Sequence, residues 1–326
     1  MKEKLLTTAV VLICYNQEDY ILAALEGIRS QTLKPDEVII ADDNSTDNTQ
    51  NIISKYVRDH GLETHWSLIF NDTNLGINRN LQGGIDSTTA EIIIPMSGDD
   101  ISLPNRCEVA VSLFLQHPDL HIVSTSITKI DEAGENVGEL AYVDELINDV
   151  RKVIIGGMPN VFPVGQSWRR SVFSKFGKLP FDIPNEDDQI TFRGILDQGI
   201  FCSSVKTVKY RVHGSSASSW LRNNQHDEEY FARFIQDMLV RKKHMEYWLQ
   251  TIPMTHRSDV DNLLHLTNLK IKIYDLLYRL NKISFQARLS FFLEHREALG
   301  LRESYYLILG KFGVLSWRRV KRLLGR

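Results

Sequence analysis

Two hydrophobic periods alternate along the first hundred residues. Ala9 to Cys14 is a continuous apolar run rich in β-branched residues, the pattern of a strand buried on both faces. From Asp19 to Gln31 the period changes, with Ile21, Leu25 and Ile28 at helical spacing. Glu37 to Ala41 is a second strand, followed by a helix through Ile52, Ile53 and Tyr56 for which Ser45 or Thr46 is the expected cap. Trp66 to Phe70 is a third strand, Arg79 to Ser87 a helix, and Ile92 opens a fourth strand. This alternation predicts an α/β fold: an open, mostly parallel sheet covered by helices on both faces.

The second hundred is less regular. A helix is expected from Pro104 to His117, a strand from His121 to Ile127, and a strand from Val205 to Val212 that ends at His213. Residues 128–160 are turn-rich, with Gly134, Gly138 and Gly156-Gly157, and are expected to be loops around a pocket mouth. Asn185-Glu186-Asp187-Asp188 leads into a helical pattern from Ile190 to Leu196. By itself that group reads as an acid-rich helix N-terminus, where a carboxylate gains about 0.3–1 kcal/mol from the helix dipole. Beyond about Gln225, Tyr230, Phe234 and Met238, then Leu263, Leu266, Leu269, Ile273, Leu276 and Leu280, keep helical spacing. The expected division is a sheet domain over 1–222 and a helical C-terminal appendix over 223–326.

Composition narrows the class without choosing a function. With 43% hydrophobic and 24% charged residues in 326, the chain reads as an ordinary globular protein, and its net charge of −3 offers no general attraction for nucleic acid. Cys14, Cys107 and Cys202 lie far apart, so neither a disulfide framework nor a zinc site is indicated. A reducing, cytoplasmic setting fits. Met1-Lys2-Glu3-Lys4 and the apolar run after it imitate a signal peptide, but the run ends at Tyr15-Asn16-Gln17-Glu18 without a small-residue cleavage site, so a first strand is expected instead. No uninterrupted run of 18 apolar residues predicts a membrane span. The tail differs: Lys311, Arg318, Arg319, Lys321, Arg322 and Arg326 alternate with Phe312, Val314, Leu315, Trp317, Val320, Leu323 and Leu324. A basic amphipathic helix over 311–326 suits the inner face of an anionic membrane. A helix packed on the protein with a solvated basic face suits it equally. No base-reading module accompanies it, so no nucleic-acid partner is expected.

The chemistry concentrates at strand ends. Ile92-Ile93-Ile94-Pro95-Met96 stops at Ser97-Gly98-Asp99-Asp100. Adjacent carboxylates repel, and a divalent cation would turn that repulsion into binding, although a solvated Gly-Asp turn reads about equally well from this stretch alone. Tyr15-Asn16 and Asp42-Asp43 also fall just past carboxyl ends of strands, the edge where open α/β sheets bind ligands. A G-x-G-x-x-G fingerprint is missing, which argues against a dinucleotide fold and favours a nucleoside diphosphate held through a metal.

Several ordered stretches together resemble the family 2 glycosyltransferases of the GT-A fold. They are Val11 to Asn16, Leu25 to Ile28 with Gln31-Thr32, Glu37 to Thr49, Asn71 to Gly76 with Arg79-Asn80, Ser97 to Asp100, Asn185 to Arg193, and Tyr210-Arg211-Val212-His213. The resemblance covers about residues 7–220 and implies a Rossmann-like GT-A catalytic domain. It also implies an inverting, metal-dependent transfer of a sugar from a nucleoside diphosphate to a hydroxyl of a glycan or lipid-linked acceptor, as in bacterial surface polysaccharide synthesis. On this resemblance Asp43 and Tyr15 receive the nucleobase, Arg79 approaches the nucleotide, and Asp99, Asp100 and His213 surround Mn²⁺ or Mg²⁺. Asp187 is then the base, with Glu186 as the alternative. Many relatives carry Asp-Ala-Asp-Asp where this chain has Ser97-Gly98-Asp99-Asp100, which leaves open which acid touches the metal. Two other readings remain at this point. One is a nucleotidyltransferase, which would normally show a glycine-rich basic N-terminal loop. The other is a non-catalytic nucleotide-sugar docking module, for which Ser97 in place of an acid is the support.

Overall fold

The computed structural model describes residues 6–149, 161–179, 181, 186–213, 257–278 and 283–296, with isolated helical positions between 235 and 250. The chain divides into two compact units, Met1–Gly214 and Ser215–Arg326. The first begins β1 (Thr8–Cys14), α1 (Ile21–Arg29), β2 (Glu37–Asp42), α2 (Thr49–Asp59), β3 (Trp66–Phe70), α3 (Ile77–Asp86) and β4 (Ile92–Ser97). These four strands pair in parallel in the order β3-β2-β1-β4. The chain therefore moves outward from β1 to β3, then returns to lay β4 on the other side of β1. That reversal makes the gap between β1 and β4 the topological switch point, where a crevice opens at the carboxyl ends.

The remaining strands widen the sheet to ten among the described residues. They are β5 (Ile101–Ser102), β6 (Ile122–Ile130), β7 (Asn136–Leu140), β8 (Glu145–Ile147), β9 (Gln166–Arg169) and β10 (Ile200–Arg211), with α4 (Arg106–Gln116), α5 (Ser171–Phe176) and α6 (Glu186–Asp197) between them. The order continues β4-β9-β6-β10-β5, and only β6 and β10 pair in parallel in this half. The mostly parallel sheet expected thus holds for the β3 to β4 half, while in the other half antiparallel pairings surround the one parallel pair β6 and β10. Residues 128–160, expected as loops, contain β7, antiparallel to β6, and β8, antiparallel to β10. Both are short and mostly exposed, so they carry no apolar run to betray them. The turn into β7 closes through Asp131 N–H to Glu135 O (2.9 Å), with Gly134 at φ +88°, a value few side chains tolerate.

Alternation along the central strands places a layer on each face. Val10, Leu12, Cys14, Val38, Ile40, Ile92, Ile94 and Met96 share one core with Ile21, Leu25 and Ile28 of α1, Ile53 and Val57 of α2, and Cys107 and Phe114 of α4. Val11 and Ile39 point the other way, and α3 lies on them at Gly84. The cap expected for α2 is corrected: the helix starts at Thr49 after Asn48, with no side-chain cap bond. Ser45 and Thr46 lie upstream and bind Asp42 and Asn16 instead.

In the second unit α7 (Arg257–Tyr278) buries Val260, Thr267, Leu269 and Ile273, and α8 (Phe285–His295) is capped by Ser284, whose Oγ accepts Ala287 N–H at 3.2 Å. The tail 311–326 lies outside the described residues. No helix among the described residues is long and apolar enough to cross a membrane.

Two adjacent glycines of α3 test the packing. A Cβ at Gly84 would fall 2.5 Å from Val11 Cγ1, whereas one at Gly83 meets nothing within 4 Å. Gly83→Ala should stabilise the fold by about 0.5–1 kcal/mol through helix propensity. Gly84→Ala should destabilise it on balance, because overpacking costs about 1–3 kcal/mol. Urea denaturation midpoints should therefore move in opposite directions.

Candidate active site

The site is built on the last two carbonyls of β1. Ile13 O accepts the N–H of Gly98 (3.0 Å), and Cys14 O accepts the N–H of Asp43 (2.9 Å). The segment after β4 and the segment after β2 are thereby hung side by side on one strand end. Tyr15, next in the chain, is 45% exposed at this edge. Asn16 (φ 51°) and Asn44 (φ 63°) are left-handed, a conformation asparagine tolerates better than most residues. Their loops are bonded to each other: Asn16 N–H donates to Ser45 Oγ, Thr46 N–H to Asn16 Oδ1, and Gln17 N–H to Thr49 Oγ1, each at 2.8 Å.

Asp42 and Asp43 have different surroundings. Asp42 is buried and accepts Ser45 N–H (2.8 Å), Gln50 Nε2 (2.6 Å) and the Cys14 thiol (3.4 Å). Burial first, then the Asp42 charge, keeps that thiol's pKa far above its ordinary value, so it remains a donor. Asp43 faces the α3 side, where Oδ1 accepts Asn71 Nδ2 (3.0 Å) and Leu75 N–H (2.8 Å) and Oδ2 accepts Gly76 N–H (2.8 Å). A carboxylate offers about four acceptor positions, so one remains. Asn71 also donates to Asn80, which bonds Ala41 O, tying this turn back to β2.

Asp99 and Asp100 also part company. Asp99 Oδ2 lies 3.0 Å from His213 Nε2. Asp100 is only 2% exposed, and its Oδ1 accepts the backbone N–H of Arg211 at 2.9 Å. Burial, then the neighbouring Asp99 charge, pushes the Asp100 carboxyl well above the usual carboxylate range, opposed by the Arg211 N–H and by the charges of Arg106 and Arg211. Arg106 is fully enclosed, donating to Ser102 Oγ, Pro95 O and Val164 O, and burial lowers its pKa to about 10. Gly98 has no room for a side chain: a Cβ there would fall 2.3 Å from Gln17 Oε1 and 2.9 Å from Cys14 Cβ.

Arg79 stands on the exposed side of the first turn of α3, its guanidinium 5.0 Å from the centre of the Phe181 ring. Glu186 and Asp187 open α6, but their side chains lie outside the described residues. The structure therefore brings Tyr15, Asp43, Asp99, Asp100 and His213 to one sheet edge, with Arg79 beside the turn that Asp43 holds. Tyr20, Arg106 and Arg211 join them without having been singled out as site residues. Arg211 and His213 are two apart at a strand end, a spacing that puts them on one side; nothing in the sequence points to Tyr20.

Among the described residues no three acidic, histidine or cysteine side chains gather to hold a metal ion. Asp99 and His213 supply one carboxylate oxygen and one imidazole nitrogen in direct contact, 3.0 Å apart. Such a pair fits Mn²⁺, which takes both donor types, with further positions left to phosphate oxygens and water.

A parallel sheet with its acids at the switch-point edge and mixed strands beyond is the GT-A fold. The family described as Glycosyl transferase family 2 matches residues 9–180, more than half of the chain, and the chain belongs to it. It is 33% identical over 130 residues to the putative glycosyltransferase EpsE of Bacillus subtilis, covering 39% of this chain and 45% of that one. An uncharacterized glycosyltransferase of Haemophilus influenzae is 23% identical over 319 residues, covering 92% and 94% of the two chains. The fold is similar to that of S. aureus TarS solved with UDP-GlcNAc, at a TM-score of 0.62 and 15% identity, with 96% of this chain and 92% of that chain covered. It is also similar to a Pyrobaculum calidifontis mannosyltransferase solved with GDP-Man and Mn²⁺, at a TM-score of 0.57 and 16% identity, covering 98% and 88%.

The bonds of Asp43 set a stability test. Asp43→Ala removes the acceptor for two backbone N–H groups and the Asn71 amide. Leu75 and Gly76 lie close enough to solvent for water to replace part of the loss. The expected cost is about 1–2 kcal/mol, at the low end for buried orphaned donors, read as a lowered denaturation midpoint.

Proposed function

We propose that the chain is an inverting, divalent-cation-dependent transferase. It moves a sugar from a nucleoside-diphosphate sugar to a hydroxyl of a glycan or lipid-linked acceptor, in the assembly of a bacterial surface polysaccharide. The observation that carries this reading is the pairing of Asp99 Oδ2 with His213 Nε2, 3.0 Å apart, beside the β1–β4 switch point. Names among similar proteins support it, including the amylovoran biosynthesis glycosyltransferase AmsE of Erwinia amylovora, 25% identical over 135 residues. So do the nucleotide-sugar complexes of the two structural neighbours.

In this reading the donor lies across the carboxyl ends of β1, β2 and β4. The position left on the Asp43 carboxylate accepts an N–H of the nucleobase, and the exposed Tyr15 ring flanks it. Arg79, held over Phe181, faces the nucleotide with its positive charge. Asp99 and His213 would hold Mn²⁺ or Mg²⁺, which when bound neutralises the departing diphosphate. Asp100, turned to Arg211, keeps the strand end in place rather than meeting the ligand.

Inversion requires a base on the face of the sugar opposite the leaving group. Asp187 at the start of α6 takes the acceptor's hydroxyl proton as the acceptor oxygen bonds to the anomeric carbon and the bond to the diphosphate oxygen breaks. Desolvation by the bound acceptor raises the basicity of that carboxylate. Glu186 is the alternative base.

Nucleoside diphosphate released from a panel of nucleotide sugars measures the reaction directly. With the right donor and Mn²⁺, release should occur and fall to background in EDTA; Asp99→Asn should demand much more Mn²⁺ for half-maximal rate. Donor binding without turnover against every acceptor would instead identify a docking module. Asp187→Ala should lower kcat by about 10²–10⁴-fold, the usual share of a general base, with donor Kd nearly unchanged. Normal turnover by that variant would sink the base assignment.

A further inference from the structure

The donors of Arg211 converge on the segment that bears Asp99. Its Nε donates to the backbone carbonyl of Asp99 at 3.0 Å, and its own backbone N–H donates to Asp100 Oδ1 at 2.9 Å. Nη1 donates to the carbonyls of Asp131 (2.9 Å) and Glu132 (3.0 Å), where β6 turns into β7. The guanidinium lies 4.7 Å from the centre of the Tyr20 ring, at the start of α1, and that ring is 5.1 Å from the ring of His213. Arg211 is itself 5% exposed. One buried cation and one aromatic ring thus join four separate parts of the chain: the end of β4, the end of β10, the β6–β7 turn and the start of α1.

We infer that Arg211 and Tyr20 are positioning residues that set Asp99 and His213 at ligating distance before any cation arrives. This rests on the proposed reading of Asp99 and His213 as the cation-holding pair. A backbone carbonyl bonded to a planar, charged donor has little freedom to rotate, so the Asp99 side chain leaves the strand in one direction. The imidazole of His213 is two residues beyond Arg211, so the same anchor governs its position, and the Tyr20 ring bounds one side of it. Neither Arg211 nor Tyr20 needs to touch the cation. Partners that orient ligands from behind typically change metal affinity by about 10–100-fold when removed. Arginine suits this place better than lysine, because a single ammonium cannot reach the Asp99 carbonyl and the two turn carbonyls while also standing over the Tyr20 ring.

The test is Mn²⁺ binding by the full chain, followed by the EPR signal of free Mn²⁺, with thermal midpoints recorded for each variant. Arg211→Lys should raise the Mn²⁺ Kd about tenfold or more. Tyr20→Leu, at a partly exposed ring, should raise it about 3–10-fold with the midpoint nearly unchanged, and Tyr20→Phe, which keeps the ring face, should stay within about twofold of wild type. If Arg211→Lys does not fold, the contrast between Tyr20→Leu and Tyr20→Phe decides alone. Asp99→Asn and His213→Ala separate the two layers of the argument. If these weaken Mn²⁺ binding while Arg211→Lys and Tyr20→Leu bind as wild type, the positioning role is overturned. If neither weakens it, or wild type takes up no Mn²⁺, the cation-holding pair fails and the positioning role fails with it.

Discussion

Two neighbouring carbonyls at the end of β1 hold the whole edge together. Ile13 O carries the segment after β4, and Cys14 O carries the segment after β2. Because β1 is the strand from which the chain runs outward and to which it returns, both segments meet at the carboxyl-end crevice of the sheet. The placement of Asp43 and of the turn that bears Asp99 and Asp100 starts from that anchorage. It also explains why the loops after β1 and β2 accept left-handed asparagines, since each must turn sharply within two residues of its strand.

The two acids of each pair are set apart, by alternation at the end of β2 and by tertiary partners in the turn between β4 and β5. Asp42 turns to the α2 side, where Ser45, Gln50 and Cys14 surround it; Asp43 turns to the α3 side and holds the turn at Leu75 and Gly76. Of Asp99 and Asp100, the first meets His213 and the second is enclosed against Arg211. What reads as excess negative charge in the sequence is in each case one acid satisfied by its own protein framework beside another set differently.

The parallel half of the fold was legible because its strands are buried on both faces, which writes continuous runs such as Ala9–Cys14 and Ile92–Met96. In the mixed half β6 and β10 were legible too, as His121–Ile127 and Val205–Val212, but the short antiparallel strands were not. β9 is Gln166-Ser167-Trp168-Arg169, and Gln166 and Ser167 are buried by hydrogen bonding rather than by apolarity, with Gln166 Nε2 donating to Thr191 Oγ1 at 2.8 Å. Ser45 and Thr46 misled as caps because Asp42 and Asn16 compete for them, a contest decided by tertiary contacts. At the site, the strand-end position of Asp43 and Asp99 was visible in the chain itself, and the resemblance supplied their roles. The separation of Asp99 from Asp100 depended on Arg211, which sits more than a hundred residues away in sequence.

Gly98 carries a consequence for how such a chain can drift over evolutionary time. A methyl group at this position would press on Gln17 and on Cys14 Cβ, the latter rigidly part of β1. Lineages that acquire alanine here can swing the Gln17 amide aside but must let the first strand retreat slightly at Cys14. The cost of alanine at position 98 should then show in the seating of the first strand rather than in the identity of residue 17.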